Sequence, residues 1–256
     1  ADGLVDRMIV GPSMRDLINE GYLTDYRLAV APTDIDYTQV PVSSGGELNM
    51  VRLREAVHAS PRIVGDVVHH YKRFAAGKLG VTFAVDVDAA TELAAAYRAA
   101  GVSAEVISAK TPDSARFAIL RKFKARQVLQ LVNVDLFGEG FDLPAIEVVS
   151  MVRRTESYSL YCQQFGRALR LMLPAELLAR WDSFTVAQRL AHIAASGKPK
   201  AIIIDHVGNI ARHHLPDRAR EWSLDRRERR TRASPDDAIP LRSCPQCLAA
   251  YERFRV

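Results

Sequence analysis

Residues 79 to 205 alternate apolar, β-branched runs with stretches of helical spacing, and this alternation restricts the fold more than any other feature. LGVTFAV at 79–85 carries no charge, as expected of a strand covered on both faces. An alanine-rich helix at 89–100 stops at Gly101. A second strand follows at 102–108. The helix predicted at 112–124 carries Phe117, Leu120 and Phe123 on one side. QVLQLVNV at 127–134, IEVVSMV at 146–152 and AIIID at 201–205 read as a third, fourth and fifth strand. Parallel neighbours need a crossover, and strand and helix alternate here at the spacing of βαβ units. The pattern therefore specifies an α/β fold, a parallel sheet with helices on both faces.

The flanks are less regular. Ser13 is an N-cap for a short helix carrying Met14, Leu17 and Ile18, and Gly21 stops it. RLAVAP at 27–32 reads as a short strand ended by proline, and 33–46 as a polar loop. Helices are expected at 47–58 and 61–76. Two short helices, 174–181 and 185–195, interrupt the alternation before the last strand, and from 206 the chain reads as an irregular tail. This divides the chain into 1–46, 47–210 and 211–256.

Hydrophobic residues make up 48% and charged residues 25%, a soluble globular balance. No apolar run approaches the roughly 20 residues of a membrane helix, and ADGLVDRM lacks a signal pattern. The chain reads as cytoplasmic, with no membrane partner. The net charge of +5 is compatible with nucleic acid. Residues 216–232 hold seven arginines against four acids, which suits either a solvated linker or a phosphate-contacting arm. Three cysteines make no disulfide framework. Cys162 falls inside a helix and reads as packing. Cys244 and Cys247 form CPQC, half of a zinc site or a plain turn with two free thiols.

Two stretches carry candidate chemistry. RRTESYSLYCQQFGRALR at 153–170, laid on a helix of about 100° per residue, gathers Gln163, Gly166, Arg167 and Arg170 in one stripe. Tyr158, Tyr161, Phe165, Ala168, Leu169 and Met172 fall opposite, so the helix is expected over 157–172 with one buried face. Two guanidinium forks beside a glycine suit a polyanion, because each fork can give phosphate oxygens two parallel charge-assisted hydrogen bonds. The stripe alone also suits a surface helix with two solvated arginines. The second stretch, DLFGEGFDLP at 135–144, follows the third strand. Gly138 and Gly140 permit tight turns and close approach of a ligand, and Asp142 offers a carboxylate to ribose hydroxyls or an arginine. Ligands of open parallel sheets bind beyond the carboxyl ends of the strands. The two stretches are expected side by side there.

Together these stretches resemble the second RecA-like domain of a superfamily-two helicase, over roughly residues 1–210. The resemblance is greatest to the DNA helicases grouped with type I and III restriction motors and to the RadD-like repair helicases. VTFAV at 81–85 resembles the fourth motif, DLFGEGFD the fifth, and the 153–170 stretch the R-x-T-x-S-x(5)-Q-x-x-G-R-x-x-R sixth motif. Glu139 before Gly140, where the RNA branch has arginine, favours a DNA translocase. The resemblance implies Arg170 as the arginine finger, Arg167 on the same terminal phosphate of ATP, and Gln163 sensing the nucleotide beside Gly166. It implies Gly138, Gly140 and Asp142 as the nucleotide-coupled loop. Thr111, Arg116, Arg153, Arg154 and Thr155 become candidates for DNA contact or coupling.

No G-x-x-x-x-G-K-[ST] phosphate loop and no D-E-x-H occurs in these residues. The resemblance therefore implies a first motor domain elsewhere in the same protein, which would hold most of the ATP and Mg2+. Residues 1–46 would be the linker from it, and CPQC part of a Zn2+ module continuing downstream. An inactive helicase-fold binding module and the motor subunit of a restriction enzyme are the alternative readings.

Overall fold

The computed structural model describes residues 8–43, 45–60, 62–134, 143–218, 220 and 241–252. Six strands, β1 (Asp25–Val30), β2 (Gly80–Phe83), β3 (Ala104–Ser108), β4 (Gln130–Val134), β5 (Val148–Met151) and β6 (Lys200–Asp205), form one sheet in the order β1-β6-β5-β2-β4-β3. Every pairing in it is parallel. Successive side chains of a strand point to opposite faces, and this alternation divides the core. Val132, Val148 and Ile204 join one apolar cluster, while their neighbours Leu131, Val149 and Ile203 join another. The first cluster is covered by α2 (Met50–His58), α3 (Ile63–Ala75) and α4 (Val87–Ala99). The second is covered by α1 (Met14–Asn19), by Phe123 of α5 (Asp113–Lys124) and by α6 (Tyr158–Leu169). Residues on both faces are almost wholly buried, as a doubly wound sheet requires.

The caps sit where side-chain chemistry puts them. Ser13 and Asp16 form a reciprocal capping box at α1, and Asp86 and Ser157 accept amides at the starts of α4 and α6. Gly21, at φ +76, leaves α1 through the left-handed region. A Cβ there would come within 2.8 Å of Arg189 Cβ. Arg189 belongs to α8 (Val186–Ala194), which with α7 (Ala175–Leu178) forms the inserted helical segment. That segment is fastened to the same corner by Trp181 Nε1 donating to the Gly21 carbonyl (2.9 Å) and Arg189 Nε to that of Glu20 (2.7 Å).

Several expectations are corrected. Residues 1–46 are not simply a linker, because β1 pairs with β6 over six residues, from Asp25↔Lys200 to Val30↔Asp205. Leu28 and Ala29 bury their side chains there, and β6 gains a neighbour on a flank that would otherwise be open. The tail is not wholly irregular. The short helix α9 (Asn209–His213) crosses the 210/211 boundary. A hairpin of β7 (Leu241–Ser243) and β8 (Ala250–Glu252) docks on β1, with the Val30 amide donating to the Leu248 carbonyl at 2.8 Å. Strands β4 and β5 are not adjacent, because β2 lies between them. α5 closes the far flank using Phe123, and Phe117 is 73% exposed rather than packed beside it. α6 stops at Leu169. Arg170 is its C-cap in an extended conformation (ψ 142), and Met172 lies beyond it. Among the described residues no helix is long and apolar enough to cross a membrane.

Candidate functional site

α6 runs from the carboxyl rim of the sheet back to the amino rim, so its two ends have different surroundings. Tyr161, Phe165, Ala168 and Leu169 are buried, Gln163 is exposed, and Gly166, Arg167 and Arg170 are half-buried. A Cβ added at Gly166 would meet nothing within 4 Å. The striped face is thus open at its glycine, with Gln163 one turn before it and Arg167 beside it.

At the amino end the backbone is held by side chains from elsewhere. The Glu47 carboxylate accepts from the Thr155 hydroxyl (2.6 Å), the Glu156 amide (2.6 Å) and the Ser157 amide (3.3 Å). A carboxylate also suits the positive end of a helix dipole. Burial would raise the Glu47 pKa, but the Glu156 amide, the Thr155 hydroxyl and the Leu48 and Ser157 amides outweigh it and hold the carboxyl below its ordinary value. Asn209 accepts from the Thr155 amide (3.1 Å) and donates to the Arg153 carbonyl (3.0 Å). His213 Nε2 lies 2.8 Å from the Thr155 carbonyl, which makes that nitrogen the donor. Asp205, at the end of β6, accepts from the Val207 (3.1 Å) and Ile210 (2.7 Å) amides and so shapes the turn that presents Asn209.

Two of the candidates for DNA contact or coupling are held inside the fold. Thr155 is fully buried, its hydroxyl bonded to Glu47. Arg154 stacks over the Tyr37 ring (4.5 Å) and donates to the Val207 carbonyl (3.3 Å). Arg153 instead lines a cavity of about 190 Å³ with Phe83, Asn133, Gln163 and Gln164, at the carboxyl ends of β2 and β4.

At the carboxyl end the fastening is one side chain. Lys198 has no exposed surface, and its Nζ donates to the carbonyls of Pro144 (2.8 Å), Ile146 (2.9 Å) and Ala168 (3.1 Å). Burial pushes this ammonium down to about 7, with Glu147 opposing and Arg170 adding to the shift. The Thr24 amide, just before β1, donates to the Leu169 carbonyl (2.8 Å). Because one nitrogen bonds both carbonyls, the Pro144 and Ala168 oxygens are within about 6 Å of each other. Pro144 is two residues after Asp142. The exit of the 135–144 stretch is therefore brought to the last turn of α6, where Arg167 lies and Arg170 follows.

Of the other predicted residues, Gly138, Gly140 and Asp142 lie outside the described residues. Thr111 and Arg116 meet at the start of α5, where the Thr111 hydroxyl accepts from the Ser108 amide (2.9 Å) and Arg116 Nη2 donates to the Thr111 carbonyl (3.1 Å). They stand beside β3, at the opposite flank of the sheet from β1. Cys244 and Cys247 occupy the β7–β8 turn. Amides of Cys247 and Gln246 lower the Cys244 thiol, which favours the thiolate a metal would need. Among the described residues no group of three or more His, Cys, Asp and Glu could hold a metal ion. Glu47, Lys198, Asn209 and His213 are the positions supporting α6 that sequence reasoning missed. Their partners are largely backbone atoms, which leave no side-chain pattern to read.

An all-parallel, doubly wound sheet with a Q-x-x-G-R-x-x-R helix on one face is the arrangement of a RecA-like domain. Residues 68–172 match the helicase conserved C-terminal domain family. A 51.5 kDa protein of Lactococcus phage (isolate 7-9) is 29% identical over 96% of this chain and 48% of its own length. A protein of Saccharomyces cerevisiae named as the ATP-dependent helicase IRC3 is 24% identical over 66% of this chain and 24% of its own length. The ATP-dependent RNA helicase DRS1 of Candida glabrata is 28% identical over 47% of this chain and 16% of its own length. The chain thus spans about half of the phage protein and smaller parts of the others.

Proposed function

We propose that this chain is the second motor half of an ATP-dependent DNA helicase or translocase. It supplies Arg170 and Arg167 to the terminal phosphate of an ATP gripped by a first RecA-like half. The observation that carries this reading is the junction at Lys198, which sets the exit of the 135–144 stretch against the last turn of α6. The open face at Gly166 fits the approach of a phosphate chain, since no side chain fills it.

Phosphoryl transfer spreads charge over the equatorial oxygens of the transferred group, and a guanidinium placed there stabilises it. Arg170 is that finger in this reading, Arg167 contacts the same phosphate, and Gln163 registers the bound nucleotide. Gly138, Gly140 and Asp142 form the loop that couples nucleotide to track. Thr111 and Arg116, at the start of α5, contact the nucleic-acid backbone, and Arg153 serves coupling. Mg2+ belongs with the first half, where the phosphate loop would be. Cys244 and Cys247 give two of the four thiolates of a zinc site completed by residues elsewhere.

Arg170→Ala in the full-length protein tests the finger. Turnover of ATP at saturating nucleic acid is expected to fall by about 10³-fold, with the melting temperature unchanged, and wild-type turnover overturns the role. DNA is the proposed track because Glu139 precedes Gly140. Stimulation by single-stranded DNA but not RNA supports it, and the reverse result assigns the RNA branch. A catalytically silent helicase-fold module is the second reading, which a full-length protein with no phosphate-loop sequence would select. Nucleic-acid binding by the full-length protein with no ATP turnover would select it.

A further inference from the structure

Lys198 lies outside the segment that defines the family, at 68–172. A fully buried ammonium is unfavourable unless its protons are all satisfied. Here each of the three has a carbonyl, and the carbonyls come from two separate stretches of chain. Pro144 and Ile146 belong to the chain leading from the 135–142 loop to β5. Ala168 belongs to the last turn of α6, directly after Arg167. The ammonium also faces the negative end of the α6 dipole. The turn that carries it is pressed on the segment after Arg170, since a Cβ on Gly197 would come within 2.9 Å of Met172 Cε. The charged groups that act on it are Glu147, from the lead into β5, and Arg170 itself.

We propose that Lys198 is a positioning residue for ATP turnover. It fixes the register between the exit of the 135–142 loop and the arginine-bearing end of α6, so that a shift at the loop is carried to Arg167 and Arg170. This rests on the reading of those arginines as phosphate contacts. Lys198 touches no substrate in this scheme and acts only through the Ala168, Pro144 and Ile146 carbonyls. Methionine has a similar length and no donors. It would fill the same space and leave the three carbonyls unbridged.

The test uses the full-length protein and four variants: Lys198→Met, Lys198→Gln, Arg170→Ala and, as a core lesion remote in role, Ile203→Ala. Melting temperature, KM for ATP and kcat at saturating nucleic acid are measured below the melting range of each. Lys198→Met is expected to lower kcat at least tenfold with KM for ATP within threefold of wild type. Lys198→Gln, which keeps two donors, should fall between. Ile203→Ala should lose melting temperature while keeping kcat within twofold. A kcat within twofold of wild type in Lys198→Met overturns the proposal. So does an Ile203→Ala variant that loses turnover as heavily, because any loosening of the core would then suffice. Should Lys198→Met not fold, wild-type kcat in Lys198→Gln overturns it and a loss at unchanged KM supports it. Wild-type turnover in Arg170→Ala would instead defeat the underlying reading of the arginines, whatever Lys198 does.

Discussion

The two ends of α6 are fastened by opposite means. At the amino end, Glu47, Asn209 and His213 share the work over the backbone of residues 153–157, and no single bond decides the geometry. At the carboxyl end one lysine bridges three carbonyls, helped by the Thr24 amide. The charges follow the helix dipole, a carboxylate at the start and an ammonium at the finish. The difference is one of redundancy. The amino end is an anchor. The carboxyl end hangs on a single hub, and it is the end that carries Arg167 and Arg170. Both fastenings come from outside residues 68–172, so the family segment contains the arginine helix but not what holds it.

The largest expected effect separates chemistry from anchoring. Arg170→Ala should cost about 10³-fold in turnover, whereas Glu47→Gln, assayed where it is folded, should stay within tenfold in kcat. Equal losses in a steady-state ATPase assay would erase the distinction between the ends. Next comes stability. Glu47→Gln replaces a carboxylate that accepts several hydrogen bonds with a carboxamide, and should cost about 2 kcal/mol in urea unfolding. This difference has a pH signature. The folded pKa of Glu47 lies below its ordinary value of 4.5, so its contribution is complete above that value and lost as pH falls through the folded one. The gap between wild type and Glu47→Gln should therefore shrink below about pH 4, and a gap that stays constant to pH 3 would show that the charge is not what holds.

Smaller effects sharpen the same contrast. Thr155→Val removes the hydroxyl that donates to Glu47 and accepts from the Ser157 amide, and should cost about 1–2 kcal/mol, with nucleic-acid affinity unchanged in a fluorescence-anisotropy titration. A large loss of affinity would return Thr155 to the surface. Gly166→Ala should stabilise the helix by up to about 1 kcal/mol, because nothing lies within 4 Å of the new Cβ. Calorimetry would show the gain. A fall in turnover beside it would mark the bare backbone as part of the nucleotide face.

The doubly wound sheet was legible because its evidence is local: apolar runs of strand length set among stretches of helical spacing. The order of the strands was not. Nothing in LGVTFAV says that it ends up between QLVNV and VVSM, since that depends on which crossover skips a place. β1 was half-hidden for the same reason. Its residues read as a strand, but only the pairing with Lys200–Asp205 shows that it belongs to the sheet. The stripe of Gln163, Gly166 and Arg167 was visible through helical periodicity. The end of α6 was not, because Leu171 and Met172 continue the apolar pattern past the point where the backbone turns extended. Glu47 after two glycines and Lys198 in GKPK look like solvated charges. Their roles emerge only when distant backbone oxygens and amides are brought to them.

The bond between Thr24 and Leu169 has a mechanical consequence. Leu169 immediately precedes Arg170, and Thr24 immediately precedes the first residue of an edge strand. The Thr24 amide thus holds the carbonyl of the very peptide from which that guanidinium springs. The threshold of the outermost strand doubles as a doorstop for the backbone at Arg170.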